Sequence, residues 1–366
     1  MKLARFGVAL DIDGVLLRGS SVIPGAQRAL SALYGNNALK RRFPVIFLTN
    51  GGGVTEAAKA RELEHKLGIP ISPDQVVLSH SPMRALIQSQ HNLNNGHVLL
   101  VGRDSVRDVA ESYGMRHPVL VDEILRWKPG VWPYRTVEKI SPSSNFDAIS
   151  IQAVVVFHDS HDWGRDIQVC CDVLRSEHGI LGTLSPYHHT PNFQQAAPIY
   201  FSNPDFVWAN DFPVVRFGQG AFRKCLETMY KELTGHDLKI EQQFGKPMPA
   251  TYCYAESVLE KLAERWTGRS ASFRKHVFAV GDNIASDICG SNQHGWKSIL
   301  VRTGVYKGNE SFRVKPSHYI PNEFLALPNL KENVLEPNVI CDDIEDAVDH
   351  IIRTESIEAS EETFFL

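Results

Sequence analysis

Short, unbroken apolar runs recur along the chain, and each ends abruptly in polar residues. Phe6 to Leu10 leads into Asp11-Ile12-Asp13-Gly14, and Phe43 to Leu48 into Thr49-Asn50-Gly51-Gly52-Gly53. His276 to Val280 leads into Gly281-Asp282-Asn283, and Ser298 to Val301 into Thr303-Gly304. Runs this short, without alternation, predict strands of a parallel sheet covered on both faces. Helical spacing fills the intervals. Ala26 to Tyr34 follows Pro24; Thr55 opens a helix through Leu63 and Leu67; Ala250 to Arg265 forms another; Ala285 to His294 closes at Gly295. Pro near a helix start, Thr as a cap and Gly after the last turn are ordinary boundary signals. Strand and helix thus alternate as βαβ units, which predicts an open α/β sheet with ligands at its carboxyl edge.

The pattern changes near residue 82. Strands at Val98 to Val101, Ala153 to Phe157 and Ile199 to Phe201, with helices at 105–113 and 166–177, predict a second α/β unit inserted in the first. Residues 116–150 read as irregular and 185–197 as a polar loop carrying His188-His189. Loops and a short strand are expected at 316–337 and a last helix at 344–352. The expected division is a core over 1–82, an insert over 83–205, the core resumed over 206–354, and an acidic, disordered tail over 355–366.

Length agrees with this, since 366 residues suit two domains of about 150 each. Hydrophobic content of 43 % and charged content of 22 % describe an ordinary globular chain. A net charge of −4 with no basic run argues against a nucleic-acid partner. Six cysteines without a Cys-x-x-Cys pair make neither a disulfide framework nor a zinc site. No apolar stretch is long enough to span a membrane. The first strand begins by residue 6, leaving no room for a presequence, so a cytoplasmic protein is expected unless a targeting segment is missing.

The candidate chemistry lies where the strands stop. Strand alternation would send Asp11 and Asp13 to the same side. Two close carboxylates repel, a divalent cation relieves them, and one can act as nucleophile beside a general acid/base. Taken alone, Asp-x-Asp-Gly could equally be a solvated acidic turn. Thr49, Asn50 and the glycines before a helix form a turn that suits a phosphate. Lys246, held between Gly245 and Pro247, and Asp282 complete a set suited to phosphoryl transfer, with Mg2+ as the hard cation for an all-oxygen site. No P-loop and no Gly-x-Ser-x-Gly elbow occurs. Gly218-Gln219-Gly220 lacks the third glycine of a dinucleotide fingerprint. His158-Asp159-Ser160-His161-Asp162 reads as a polar turn with Asp162 near a cap, in preference to a metal cluster.

Asp11-Ile12-Asp13-Gly14-Val15-Leu16, Leu48-Thr49-Asn50, Gly245-Lys246-Pro247 and Gly281-Asp282-Asn283 to Ser286-Asp287 occur in the order of the four motifs of the haloacid dehalogenase (HAD) superfamily. The chain resembles that family, in its class IIA of NagD and p-nitrophenyl phosphatase type. Leu48 to Gly53, His161-Asp162-Trp163, Tyr200 to Pro204 with Trp208-Ala209-Asn210, and Arg216 to Phe222 resemble its cat eye syndrome critical region protein 5 subgroup, which has fungal mitochondrial members. The resemblance covers residues 6–352 and implies a Rossmann-like core with an inserted α/β cap of the C2 type. It implies a Mg2+-dependent phosphatase of a small phosphorylated metabolite, working through an aspartyl-phosphate. Asp11 would be nucleophile and Asp13 general acid/base. Asp11, Asp13 (through its carbonyl), Asp282 and Asp287 would hold Mg2+. Thr49, Asn50, Gly51 and Lys246 would hold the phosphoryl group. A mitochondrial location follows from the resemblance, and a homodimer through the cap is a partner it admits. The competing reading is a HAD-fold binding protein with a silent site, using its cap for partner contacts. Dehalogenation is a weaker rival, because it needs no acid at Asp13.

Overall fold

The computed structural model describes residues 2–103, 105–134, 145–268, 272–273, 276–308 and 320–364. The predicted runs, together with strands the pattern did not show, form two parallel sheets. In chain order they are β1 (Gly7–Leu10), β2 (Val45–Leu48), β3 (Val76–Val77), β4 (His97–Val101), β5 (His117–Leu120), β6 (Ile151–Val156), β7 (Ile199–Phe201), β8 (Ile240–Gln243), β9 (Val277–Gly281), β10 (Lys297–Val301) and β11 (Val339–Cys341). One six-stranded sheet has the order β11-β10-β9-β1-β2-β3, and one five-stranded sheet the order β8-β7-β6-β4-β5. Every neighbouring pair within these two sheets is parallel.

Burial explains why apolar runs without alternation were the signal. Val8, Leu10, Val45, Phe47, Phe278 and Val280 pack against the helices Ala26–Leu33 and Glu56–Leu67 on one face. Ala9, Ile46, Leu48, Val277 and Ala279 pack against the helix Pro249–Thr267 on the other. Thr55 caps Glu56–Leu67 as expected, accepting from the Ala58 amide at 3.2 Å. Asp162 caps Trp163–Arg175 by accepting from Arg165 N at 3.4 Å.

Three expectations need correction. The stretch 116–150 is not wholly irregular: it holds β5 and the helix Val121–Trp127, while 135–144 lie outside the described residues. Pro118 hid this strand, which sits at a sheet edge where proline is tolerated. The insert does not end at 205. The helix Gln219–Thr234 and β8 belong with the second sheet, so that unit runs on to about Gln243. β8 reads Ile-Glu-Gln-Gln, a polar edge strand with no apolar run to reveal it. The tail is helical, since the last helix runs Ile344–Phe364. Glu355 is fully buried there. Its carboxylate accepts from Arg5 N at 3.2 Å and pairs with Arg41. Residues 365–366 and the loop expected around Pro316 lie outside the described residues. The described part of 316–337 holds the short helix Asn322–Leu325, and the strand falls just after, at β11.

The two units meet at a buried polar knot. Glu56 opens a core helix, and Ser81 Oγ (2.7 Å), Tyr113 Oη (2.6 Å) and Arg84 (3.0 Å) all donate to its carboxylate. Tyr113 comes from the helix Val106–Tyr113 of the inserted unit. Its Oη also lies 2.8 Å from His80 Nδ1. Burial, only partly offset by Glu56 and abetted by Arg84, depresses the pKa of His80 to about 4. His158, buried near Arg103, is depressed to about 3. Both histidines stay neutral in the fold while an unfolded chain takes up their protons near pH 6.5. Stability is therefore full above about pH 6.5 and is lost as pH falls toward 4. Between pH 7 and 5 each histidine should remove about 2 kcal/mol of stability. Urea midpoints at the two pH values should show the loss, and His80→Gln should remove its own share of it.

Candidate active site

β1 ends at Leu10, so Asp11 and Asp13 sit in the turn beyond it and strand alternation does not align them. That corrects the simple pleat argument. Asp11, Asp282 and Asp287 place carboxylate oxygens within 4.8 Å of one another, and all three are buried. Asp13 points elsewhere: a methyl group at Gly51 would stand 3.6 Å from its Oδ2. Its carboxylate faces the Thr49–Gly51 turn and is not part of the acidic triad.

Parallel pairing brings the pieces together, because β9, β1 and β2 are adjacent and end on one edge. Gly14 (φ +88) turns the chain back, and a Cβ there would run into the Asp282 carboxylate. Asp282 Oδ2 accepts from Val305 N at 2.5 Å. Asn283 opens a widened turn, Ile284–Ile288, that carries Asp287 back to donate and accept across it. Asp287 N donates to Asn283 O at 2.9 Å, and Asn283 N to Asp287 Oδ2 at 3.1 Å.

Lys246 lies at the centre, 2 % exposed. Its Nζ donates to Asp287 Oδ1 (2.5 Å) and Leu48 O (3.0 Å), and stands 3.0 Å from Asp11 Oδ1. Asn50 positions it: Lys246 N donates to Asn50 Oδ1 at 2.6 Å, and Asn50 Nδ2 donates to Lys246 O at 2.9 Å. The Asn50 side chain thus holds the Lys246 backbone through both its oxygen and its nitrogen. Thr49 Oγ1 accepts from Gly51 N at 2.9 Å and shapes the same turn.

Charge explains the ionisation. Burial would lower the pKa of Lys246, but Asp11 and Asp287 outweigh it and hold the ammonium well above its usual value. Burial pushes Asp11 well up; Lys246 pulls it back, and Asp287, Asp282 and Asp13 push it up again. Burial and then Asp287 bring Asp282 to about 7. One ammonium does not balance these acids. Asp11 Oδ1 is buried and accepts no hydrogen bond of good geometry. A buried carboxylate oxygen with no well-aligned hydrogen bond, sharing one ammonium with the other acids of the corner, fits a hard divalent cation, which would reverse these upward shifts.

A pocket of about 520 Å³ opens over this corner. Its far wall comes from the second sheet: Arg103 after β4, His158 and Asp159 after β6, Asn203 and Asp205 after β7. The carboxyl edges of both sheets therefore face one cavity. These residues were missed as site residues. The His158-Asp159 turn is a turn, as expected, yet it lines the pocket. Burial raises Asp159 to about 6 and Asp205 to about 7, the latter despite Lys246 and a hydrogen bond to Asn50. Ser-Asn-Pro-Asp directly after an apolar strand was the available signal for Asp205.

Residues 8–116 match the model of the haloacid dehalogenase-like hydrolase family, and residues 243–327 match a HAD-hydrolase-like model. The mitochondrial hydrolase YKR070W of Saccharomyces cerevisiae is 37 % identical over 351 residues, covering 90 % of this chain and 96 % of that one. A Schizosaccharomyces pombe fusion of cardiolipin synthase (CMP-forming) with a mitochondrial hydrolase is 38 % identical over 318 residues, covering 85 % of this chain; the match spans half of the fusion, 50 %. The glycerol phosphate phosphatase of Mycobacterium tuberculosis, solved with magnesium, superposes with a TM-score of 0.54 at 19 % identity. It covers 94 % of this chain and 78 % of its own, a likeness of fold.

Proposed function

The chain belongs to the haloacid dehalogenase-like hydrolases, and on that premise we propose that it is a Mg2+-dependent phosphatase of a small phosphorylated compound. One observation carries this reading: Asp11, the Thr49–Gly51 turn, Lys246 and the Asp282–Asp287 corner line or adjoin a single pocket. Asp11, Asp282 and Asp287, with the backbone carbonyl of Asp13, would hold Mg2+. The cation would neutralise the transferring phosphoryl group and the buried acids.

Asp11 attacks phosphorus, and the bond from phosphorus to the substrate oxygen breaks. Asp13 gives its proton to that leaving oxygen. Burial raises the pKa of Asp13, which suits a proton donor, although Lys59 and Lys246 pull it down. Asp13 then takes a proton from water, which attacks the aspartyl-phosphate; phosphate leaves and the Asp11 carboxylate returns. The Asn50 amide, Thr49 and Lys246 hold the phosphoryl oxygens, and the Gly51 amide joins them once it exchanges its bond to Thr49 Oγ1 for one to the substrate. The far wall from the second sheet keeps water out and meets the rest of the substrate.

Phosphate release from p-nitrophenyl phosphate tests the reading. It should be supported by Mg2+ and fall at least about a hundredfold in chelator, returning when Mg2+ is restored. Release that ignores chelator would refute the metal assignment. A mitochondrial location, the one named for both curated relatives, is proposed with it; fractionation of the native host cell tests that.

A further inference from the structure

The pocket wall includes an antiparallel hairpin, Val207–Trp208 against Arg216–Phe217. Its connecting turn reads Asp211-Phe212-Pro213-Val214-Val215. Phe212 is 58 % exposed, Val214 59 %, Val215 44 % and Phe217 64 %. Four large apolar side chains in six residues stand in water on the rim of the candidate site. Scattered exposed apolar residues need no explanation, but a contiguous apolar rim marks a contact surface. The hairpin is not loose on the cap. Phe217 packs against Phe206 (6.0 Å between ring centres) and Trp163 (6.2 Å). The Asp211 carboxylate lies against Gly19 of the core, so the hairpin reaches across the pocket mouth.

The apolar tip is continuous with the polar cavity. Trp208, Arg216 and Phe217 line the pocket, whereas Phe212, Val214 and Val215 lie outside its lining. The Arg216 guanidinium stands 5.0 Å from the Phe212 ring centre. Arg103 adds a second exposed cation on the lining, its charge acting on the Asp159 carboxylate of the same wall. The pocket joins a phosphoryl site to two arginines, and the apolar tip of the hairpin lies beyond its lining. That order is the layout of an amphiphile: a phosphomonoester, a polar or anionic head, and a hydrocarbon tail.

Resting on the phosphatase reading above, we infer that the substrate is a lipid phosphate, its head in the pocket and its tail against the Phe212–Phe217 hairpin tip. No helix among the described residues is long and apolar enough to cross a membrane.

The experiment compares Mg2+-dependent phosphate release from glycerol phosphate, p-nitrophenyl phosphate, soluble dihexanoyl phosphatidic acid, and dioleoyl phosphatidic acid in detergent micelles. Wild type is set beside the triple variant Phe212→Ser, Val214→Ser, Val215→Ser, whose residues lie outside the pocket. The lipid phosphates should exceed glycerol phosphate in kcat/KM by at least about tenfold, since tail burial adds apolar contact. The variant should lose about tenfold on them, with p-nitrophenyl phosphate turnover within about twofold. Loss on the soluble short-chain lipid as well as on micelles assigns the hairpin to the tail itself; loss on micelles alone assigns it to the lipid surface. Turnover of p-nitrophenyl phosphate without preference for lipids, or a variant that treats lipids as wild type does, overturns the inference and leaves the phosphatase standing. A variant that only changes from dimer to monomer makes the hairpin a self-contact and also overturns it. If no compound is hydrolysed, the phosphatase reading fails first and this one with it.

Discussion

Asp11→Asn should abolish phosphate release, lowering kcat by at least about 10³-fold, while the protein melts no lower than wild type. The first half follows from chemistry: the carboxamide keeps the shape of Asp11 but is a far poorer nucleophile, and losing a nucleophile removes most of the rate advantage. The second half follows from electrostatics. Burial, and then the repulsion of Asp287, Asp282 and Asp13, raises the pKa of Asp11 against the pull of Lys246. Removing one of these charges relieves strain in the metal-free protein; only Lys246 loses a partner, and it keeps Asp287 at 2.5 Å. A silent variant with an unchanged or raised melting temperature in chelator would separate lost chemistry from lost fold. Substantial turnover by the variant would remove Asp11 as nucleophile, and collapse of the fold would refute the electrostatic account.

The core was legible because three signals coincided. β1, β2 and β9 are apolar on both faces, each stops at a polar residue, and parallel pairing aligns the three ends. An apolar run broken by Asp or Thr is hard to miss. The inserted unit lacked that coincidence at its edges. Pro118 and the polar β8 disguised two strands, and with β8 went the second domain boundary. Nor could spacing show that Asn50 serves Lys246, 196 positions away, or that Tyr113 and Ser81 share Glu56. Such pairs exist only after the sheets are assembled. The pleat argument for Asp11 and Asp13 failed because the strand ends one residue early, where turn geometry takes over. The pocket-lining residues Arg103, His158 and Asp159 are of types that also decorate any surface. They gain meaning only because β4 and β6 point their carboxyl ends at the core's own.

Lys246→Met should reduce kcat/KM by about 10²–10⁴-fold and, unlike Asp11→Asn, destabilise the protein. Methionine fills similar volume, and the Asn50 bonds run to the Lys246 backbone, so the loop can persist. In the proposed mechanism, what disappears is the cation that would stabilise both the nucleophile and the transferring phosphoryl group, a preorganised electrostatic contribution. Asp287 is left buried without its 2.5 Å partner, and Asp11 without its 3.0 Å neighbour. Breaking a buried pair from one side costs roughly 3–5 kcal/mol, because the remaining charge is uncompensated. Two controls give the sign. Saturating Mg2+ should restore part of the lost stability, since the cation compensates the same carboxylates. In chelator, the double variant with Asp11→Asn should be more stable than Lys246→Met alone, because one of the two stranded charges is gone. Urea unfolding of the four proteins, with and without Mg2+, gives the coupling directly. If Lys246→Met were fully stable in chelator, or Asp11→Asn failed to rescue it, the ammonium would not be the counter-ion that holds this acidic corner together.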